Sequence, residues 1–214
     1  MVALTIAVAK GRTADHTITL LKKVGITFND LTPSSRKLVF YNSEKSIKLI
    51  FVKAVDVPTY VEKGAADMGI VGKDNILESK ADIYEILDLK IGQCEFAVAG
   101  KPGQSLDSVQ PLTIATKYPM VAKKHFARKG KAIDVVKLNG SVELAPLIGL
   151  SDVIVDIVET GNTLRENGLV ILEKVEPIST RLIVNKASFA MKAEHIQPFI
   201  KKLKKNVEES RCNT

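Results

Sequence analysis

The chain has 214 residues, 45% hydrophobic and 26% charged, with a formal net charge of +7; that is a globular composition, long enough to bury a core as one large domain or two small ones. No apolar run is long enough to span a bilayer, and Cys94 and Cys212 have no metal-ligand spacing. Aromatics are only 5% and tryptophan is absent, so a base-stacking surface for nucleic acid is poorly supplied; a small polyanionic ligand explains the basic excess equally well, and Lys201-Lys202-Leu203-Lys204-Lys205 reads as a solvated helix face.

From the N-terminus, Leu4–Ala9 reads as a strand. The run Ala3–Ala9 has no preceding basic region and leads into Lys10-Gly11-Arg12, unlike a secretory signal, so a cytoplasmic protein is expected. Asp15–Val24 carries helical spacing and Gly25 is its stop. Lys37–Tyr41 and Ile47–Lys53 form a strand pair around Asn42-Ser43-Glu44. Val57–Gly64 is a short helix with Pro58 in its first turn, Met68–Val71 a strand, Asn75–Ser79 a helical turn, and Ile83–Leu89 and Glu95–Ala99 strands. After Gly100-Lys101-Pro102-Gly103 a second alternating set follows: strand Leu112–Ala115, helix Met120–Arg128, strand Ile133–Leu138, helix Val142–Ile148, strand Val153–Val158 and a helix Leu164–Asn167 ended by Gly168. Strands Val170–Val175 and Arg181–Val184 precede an amphipathic helix around Ala193–Val207, bent or restarted at Pro198. Such alternation predicts an α/β chain with mostly parallel pairing, in two lobes split near residue 92. Periodicity leaves the last helix to either lobe, and no clear sequence repeat stands out.

The most informative stretch is Asp152 to Leu164. A buried β-branched strand ends in acids and opens into Glu159-Thr160-Gly161-Asn162-Thr163 at a helix start. Backbone N–H groups and hydroxyls there suit phosphate, while acids such as Asp156 suit sugar hydroxyls; a plain strand, turn and capped helix has the same outline. Lys10-Gly11-Arg12 follows the first strand, where open α/β sheets bind ligands, although basic turn residues also sit there for solubility. Arg36, just before a strand, joins Arg12 as a pair able to grip a diphosphate, or simply flanks the strand. The segment Gly64–Asp74 contains Asp67, Gly69, Gly72 and Lys73; it is not a Walker A loop, and its glycines also suit tight turns. Glu143, in the first turn of a helix, is stabilised by the dipole or serves as a second acceptor for ribose hydroxyls. His16, His125 and His195 lack partners at catalytic spacing and read as surface residues. There is no triad and no His/Cys/Asp metal cluster.

The stretch Glu143–Leu164 resembles the signature of the ATP phosphoribosyltransferase family and fills each of its defined positions. Lys10-Gly11-Arg12, Ser35–Leu38, Asp56–Val61, Gly69–Asp74 and Ala115–Tyr118 are also similar to that family, so the likeness runs nearly end to end. The resemblance implies a two-lobed, periplasmic-binding-protein-like (type II) fold with the active site in the interdomain cleft. It places residues 1–92 with 183–214 in domain I and 93–182 in domain II. The implied reaction is attack of adenine N1 of ATP on C1 of phosphoribosyl diphosphate (PRPP), with inversion and loss of diphosphate, the first step of histidine biosynthesis. Arg12 and Arg36 would be catalytic. Glu143, Asp156, Glu159, Thr160, Gly161, Asn162 and Thr163 would bind PRPP, and Lys10, Gly11, Asp67, Gly72 and Tyr118 would serve the ATP side. Mg²⁺ would ride mainly on the substrate diphosphate, with no protein metal site. The chain is similar to the short form of the family, which implies a regulatory subunit resembling histidyl-tRNA synthetase in a hetero-oligomer; self-association is also expected. A non-catalytic binding protein for a phosphorylated solute, or a nucleic-acid-binding protein, remains the competing reading.

Overall fold

The computed structural model describes residues 4–32, 35–107 and 111–212, with side chains as far as Glu209. In chain order the elements are β1 (Leu4–Ala9), α1 (Arg12–Lys23), β2 (Val39–Tyr41), β3 (Ile47–Val52), a 3-10 turn (Ala54–Asp56), α2 (Val57–Glu62), β4 (Met68–Gly72), α3 (Lys73–Ser79) and β5 (Tyr84–Asp88). They continue with β6 (Cys94–Gly100), β7 (Leu112–Thr116), α4 (Pro119–Arg128), β8 (Ile133–Lys137), α5 (Leu144–Leu147), β9 (Val153–Val158), α6 (Asn162–Glu166) and β10 (Val170–Ile178), and close with β11 (Thr180–Val184), α7 (Lys186–Met191) and α8 (Ala193–Cys212). The chain divides into two compact units, residues 1–92 with 179–214 and residues 93–178. The return to the first unit falls at Ser179 rather than at residue 183, because all of β11 pairs with β4.

The first unit is built on a six-stranded sheet, β2-β3-β1-β4-β11-β5. Both faces of β1 are covered, and its sequence alternates accordingly. Leu4, Ile6 and Val8 join a core that includes Leu20 and Leu21 of α1 and Ile196, Phe199, Leu203 and Val207 of α8. Ala7 and Ala9 face Val57 and Val61 of α2. Small residues are needed on that side: a Cβ on Gly69 would lie 2.8 Å from both valines, so α2 sits directly over the strand backbone. The spacing of Ile196, Phe199, Leu203 and Val207 keeps one face of α8 buried, and the helix runs through Pro198 as one element. The break falls instead at Lys192, between α7 and α8. Sequence periodicity missed α7, which is capped by Asn185: its side chain accepts from Ser188 N (2.8 Å) and donates to Val61 O (2.8 Å).

The second unit has a five-stranded sheet, β10-β6-β9-β7-β8. Ile154 and Val158 of β9 pack with Val142 and Ala145 around α5, Leu164 of α6 and Leu169. Both sheets are mixed, contrary to the expected mainly parallel pairing. Only β3-β1-β4 and β8-β7-β9 are parallel; β2, β5, β6, β10 and β11 all pair antiparallel. Parallel neighbours need a helical crossover, which those two trios have, whereas β2 is joined to β3 by a short turn. The two trios also form a structural repeat that is hard to find by eye in the sequence. Each central strand opens Leu-Thr-Ile-Ala, at Leu4 and Leu112. In each, the threonine N–H donates to an aspartate just ahead of the neighbouring strand: Thr5 to Asp67 (2.8 Å) and Thr113 to Asp152 (2.7 Å).

Candidate functional site

In the first unit, β1, β3 and β4 end at one edge, and the register gathers the basic residues there. Lys10 N donates to Val52 O (3.0 Å) at the end of β3. Gly11, between β1 and α1, has φ 85° and ψ −151°, a region open essentially to glycine alone, so this turn fixes where Lys10 and Arg12 emerge. Because β2 runs antiparallel to β3 and Leu38 O accepts from Phe51 N (2.8 Å), the chain just ahead of it brings exposed Arg36 to that same edge. Lys53, which sequence reading passed over, is exposed there at the end of β3. Gly72 closes β4 at this edge, and a Cβ on it would meet the Asp74 carboxylate at 2.2 Å.

Asp67 does not belong to that group. It sits at the opposite end of β4, buried, with its carboxylate accepting from Thr5 N (2.8 Å), Ser188 Oγ (2.7 Å) and Lys192 Nζ (3.0 Å). The ATP-side role expected for Asp67 is therefore replaced by a structural one, tying α7 to the start of the sheet.

In the second unit the corresponding edge carries the strand–loop–helix read from the sequence. Gly161 adopts the left-handed conformation (φ 73°, ψ 7°) at the cap of α6, so Asn162 and Thr163 form the first turn of a helix that starts two residues earlier than expected. Thr160, Asn162 and Thr163 are exposed. Arg165 was missed. Its guanidinium folds back over the loop, donating to Thr160 O (3.2 Å) and to Asn162 Oδ1; the signal is its i, i+3 spacing from Asn162 on a helix. Strand alternation puts Asp156 on the face of Ile154 and Val158, the face covered by the α5 segment. Glu143 lies at the cap of α5 and so beside that face. It stands at the N-cap position, with no side-chain capping hydrogen bond, instead of in the first turn, because α5 is only four residues long and is preceded by a turn in which Ser141 has φ 47°. Glu159 is exposed at the mouth of the loop.

Two further expectations change. Tyr118, expected on the ATP side, is 6% exposed, and its ring packs edge-on against Phe96 at 4.9 Å in the core of the unit. His125 is not a surface residue: its side chain is 13% exposed, with Nε2 3.1 Å from Glu173 Oε1. Burial pushes its pKa below the ordinary value against the pull of Glu173, and the charges of Lys129 and Arg128 push the same way. Among the described residues no three His, Cys, Asp or Glu side chains converge as a metal site, and no helix is long and apolar enough to cross a membrane.

Two similar sheets, one edge basic and the other combining hydroxyls with acids, describe an α/β protein suited to phosphorylated ligands. The sequence model of the ATP phosphoribosyltransferase family (HisG) matches residues 53–205. An ATP phosphoribosyltransferase of Oceanobacillus iheyensis is 64% identical over 203 residues, 95% of this chain and 98% of that protein. One from Listeria monocytogenes is 50% identical over 211 residues, 99% of each. Among solved structures, the ATP phosphoribosyl transferase (HisG:HisZ) complex from Thermotoga maritima matches with a TM-score of 0.84 and 36% identity, covering 96% of this chain and 99% of that one. Tv2483 bound to L-arginine matches with a TM-score of 0.59 at 16% identity, over 98% of this chain and 85% of that one, a likeness of fold alone. The architecture is of the type II periplasmic-binding-protein kind. The chain belongs to the ATP phosphoribosyltransferase family.

Proposed function

We propose that the chain transfers the phosphoribosyl group of PRPP to N1 of ATP with inversion, releasing diphosphate and opening histidine biosynthesis. The loop 159–163 carries this reading: a glycine held left-handed, exposed threonines and a folded-back guanidinium at the end of β9, in a chain similar over its whole length to ATP phosphoribosyltransferases. Thr160–Thr163 take the 5-phosphate, and Glu143, Asp156 and Glu159 take the ribose, where the acids also favour a ring turning cationic. Arg12 and Arg36 take the charge that grows on the departing diphosphate. Lys10, Gly11 and Gly72 serve the ATP side, with Lys53 beside them.

Adenine N1 carries no proton, so no general base is required of this chain. Its residues work by positioning two substrates and by stabilising opposite charges at C1 and at the leaving group. Mg²⁺ would neutralise charge on the diphosphate and would be held mainly by substrate oxygens and water, as this hard cation commonly is beside substrate phosphates. The HisG:HisZ composition of the Thermotoga complex supports a regulatory subunit similar to histidyl-tRNA synthetase, and a biosynthetic role supports a cytoplasmic setting. The test is to mix the chain with ATP, PRPP and Mg²⁺, with and without such a subunit, and follow phosphoribosyl-ATP by absorbance. Product that requires both substrates is expected. PRPP binding without product in either mixture would leave only a binding protein.

A further inference from the structure

A loop that binds an anion has to present donors and keep its acceptors occupied, because a carbonyl oxygen facing a phosphate repels it. The loop 159–163 carries acceptors close to its donors: the main-chain carbonyls of Thr160, Gly161 and Thr163 and the side-chain oxygen of Asn162. Two residues just after the loop take each of these. Arg165 donates through Nη1 to Thr160 O (3.2 Å), through Nη2 to Asn162 Oδ1, and through its main-chain N to Gly161 O (3.1 Å). Asn167 donates through Nδ2 to Thr163 O (2.8 Å). A guanidinium only donates, so the Asn162 amide has to turn its oxygen to Arg165, which leaves the two N–H bonds of Nδ2 for a ligand. Thr160 Oγ1 accepts from Asn162 N (3.4 Å), so its O–H is kept as a donor. The guanidinium also lies close against Gly161: a Cβ there would come 3.3 Å from Arg165 Nη1. Fixing an exposed arginine side chain costs rotamer entropy, and no carboxylate pairs with this one among the described residues. Stability alone gives little reason for the arrangement.

We propose that Arg165 is a positioning residue: by holding the acceptors of Thr160 and Asn162 it leaves the loop presenting donors, and so sets its selectivity for a sugar carrying a 5-phosphate. It acts through those two residues and not on the reacting atoms, while its unpaired charge stays beside the site. The inference rests on the loop holding the 5-phosphate of PRPP. Lysine cannot do the same work. The planar fork of arginine reaches two acceptors on either side of Gly161 at once, whereas an ammonium is a point charge on a flexible stem.

Calorimetric titration and steady-state kinetics on the full chain test the proposal. Arg165→Ala should raise the PRPP dissociation constant about tenfold or more, with ATP affinity within about twofold of wild type. The melting temperature should not move, because the side chain is exposed. Ribose 5-phosphate, which lacks the diphosphate, should weaken by the same factor as PRPP. KM for PRPP should rise in step while kcat falls less than about threefold, since the 5-phosphate is held alike before and during reaction. Arg165→Lys restores the charge without the fork and should stay at least about threefold weaker than wild type for PRPP. If Thr163→Val weakens PRPP binding and Arg165→Ala does not, the proposal is overturned and the role of the loop stands; if neither does, the loop loses its role and the proposal falls with it. Full recovery by Arg165→Lys would reduce the residue to a charge, and equal weakening of PRPP and ATP would reduce it to a structural prop; either result overturns the proposal.

Discussion

The parallel trios β3-β1-β4 and β8-β7-β9 are one design used twice, and the two copies differ at opposite ends for different reasons. At the starts of the strands the chemistry is shared: an aspartate side chain accepts the threonine N–H while its own N–H donates back to the threonine carbonyl, at 2.9 Å in both units. At the strand ends it diverges. β1 leads into Lys10-Gly11-Arg12 where β7 leads into Lys117-Tyr118-Pro119, and β4 closes on Gly72 and leads into Lys73-Asp74 where β9 leads into Glu159-Thr160-Gly161. One scaffold therefore presents a basic edge in the first unit and a hydroxyl-and-acid edge in the second. The sheet starts hold the fold, and the sheet ends are where the proposed ligands bind, as the geometry of open α/β sheets favours.

The largest effect is expected at the basic edge. Arg36→Ala should slow single-turnover product formation about 10²–10³-fold, a barrier of roughly 3–4 kcal/mol by analogy with losing one oxyanion donor. Its side chain is exposed, so the melting temperature should not move. Unchanged single-turnover chemistry would take the diphosphate away from this edge.

Next comes the comparison of the two aspartates. Asp67→Ala strands a buried N–H, a serine and a partly exposed lysine, and should cost about 2–3 kcal/mol. Asp152→Ala strands a single N–H and should cost about 1 kcal/mol. Urea midpoints decide it, and equal losses would mean that the α7 contacts add nothing.

The smallest effect separates the units by pH. In the second unit His125 is held below its ordinary pKa of 6.5, mainly by burial. The unfolded chain then takes up the proton more readily, so this contribution is present above about pH 6.5 and lost as pH falls below it. In the first unit, burial alone would raise the Asp88 pKa, but hydrogen bonds from Lys90 and Ser179 and the charge of Arg181 outweigh it and hold the carboxyl at about 2. That contribution is present above the ordinary 3.8 and is lost as pH falls through about 2. Hydrogen exchange read between pH 7 and 5 should therefore loosen the second unit first, and His125→Phe should flatten the dependence. Simultaneous loosening of both units would contradict this ordering.

Much of this molecule is legible in its residues. The β-branched runs give most of the strands, and Gly161 and Gly168 bracket α6 because each takes positive φ. The loop 159–163 is formed by neighbouring residues, so its turn and helix start are read directly from the sequence. What escaped depends on contacts distant in sequence. An aspartate ahead of a strand reads the same whether it faces a nucleotide or, like Asp67, a lysine 125 positions away. Tyr118 likewise follows a strand as a ligand-facing residue would, yet its ring meets Phe96. The antiparallel strands were misjudged because pairing sense is set by which distant segment arrives, and Arg165 because its role depends on folding back over its own loop. Of the run Ser34-Ser35-Arg36-Lys37 that carries Arg36, Ser34 lies outside the described residues.

The account rests on the second unit's loop holding the 5-phosphate of PRPP, and calorimetric titration of Thr163→Val with PRPP and, separately, with ATP tests it most directly. Loss of one hydrogen bond to a charged group predicts PRPP binding weakened about 10- to 100-fold, with ATP affinity within about twofold of wild type. Equal weakening for both nucleotides, or none for either, would contradict it.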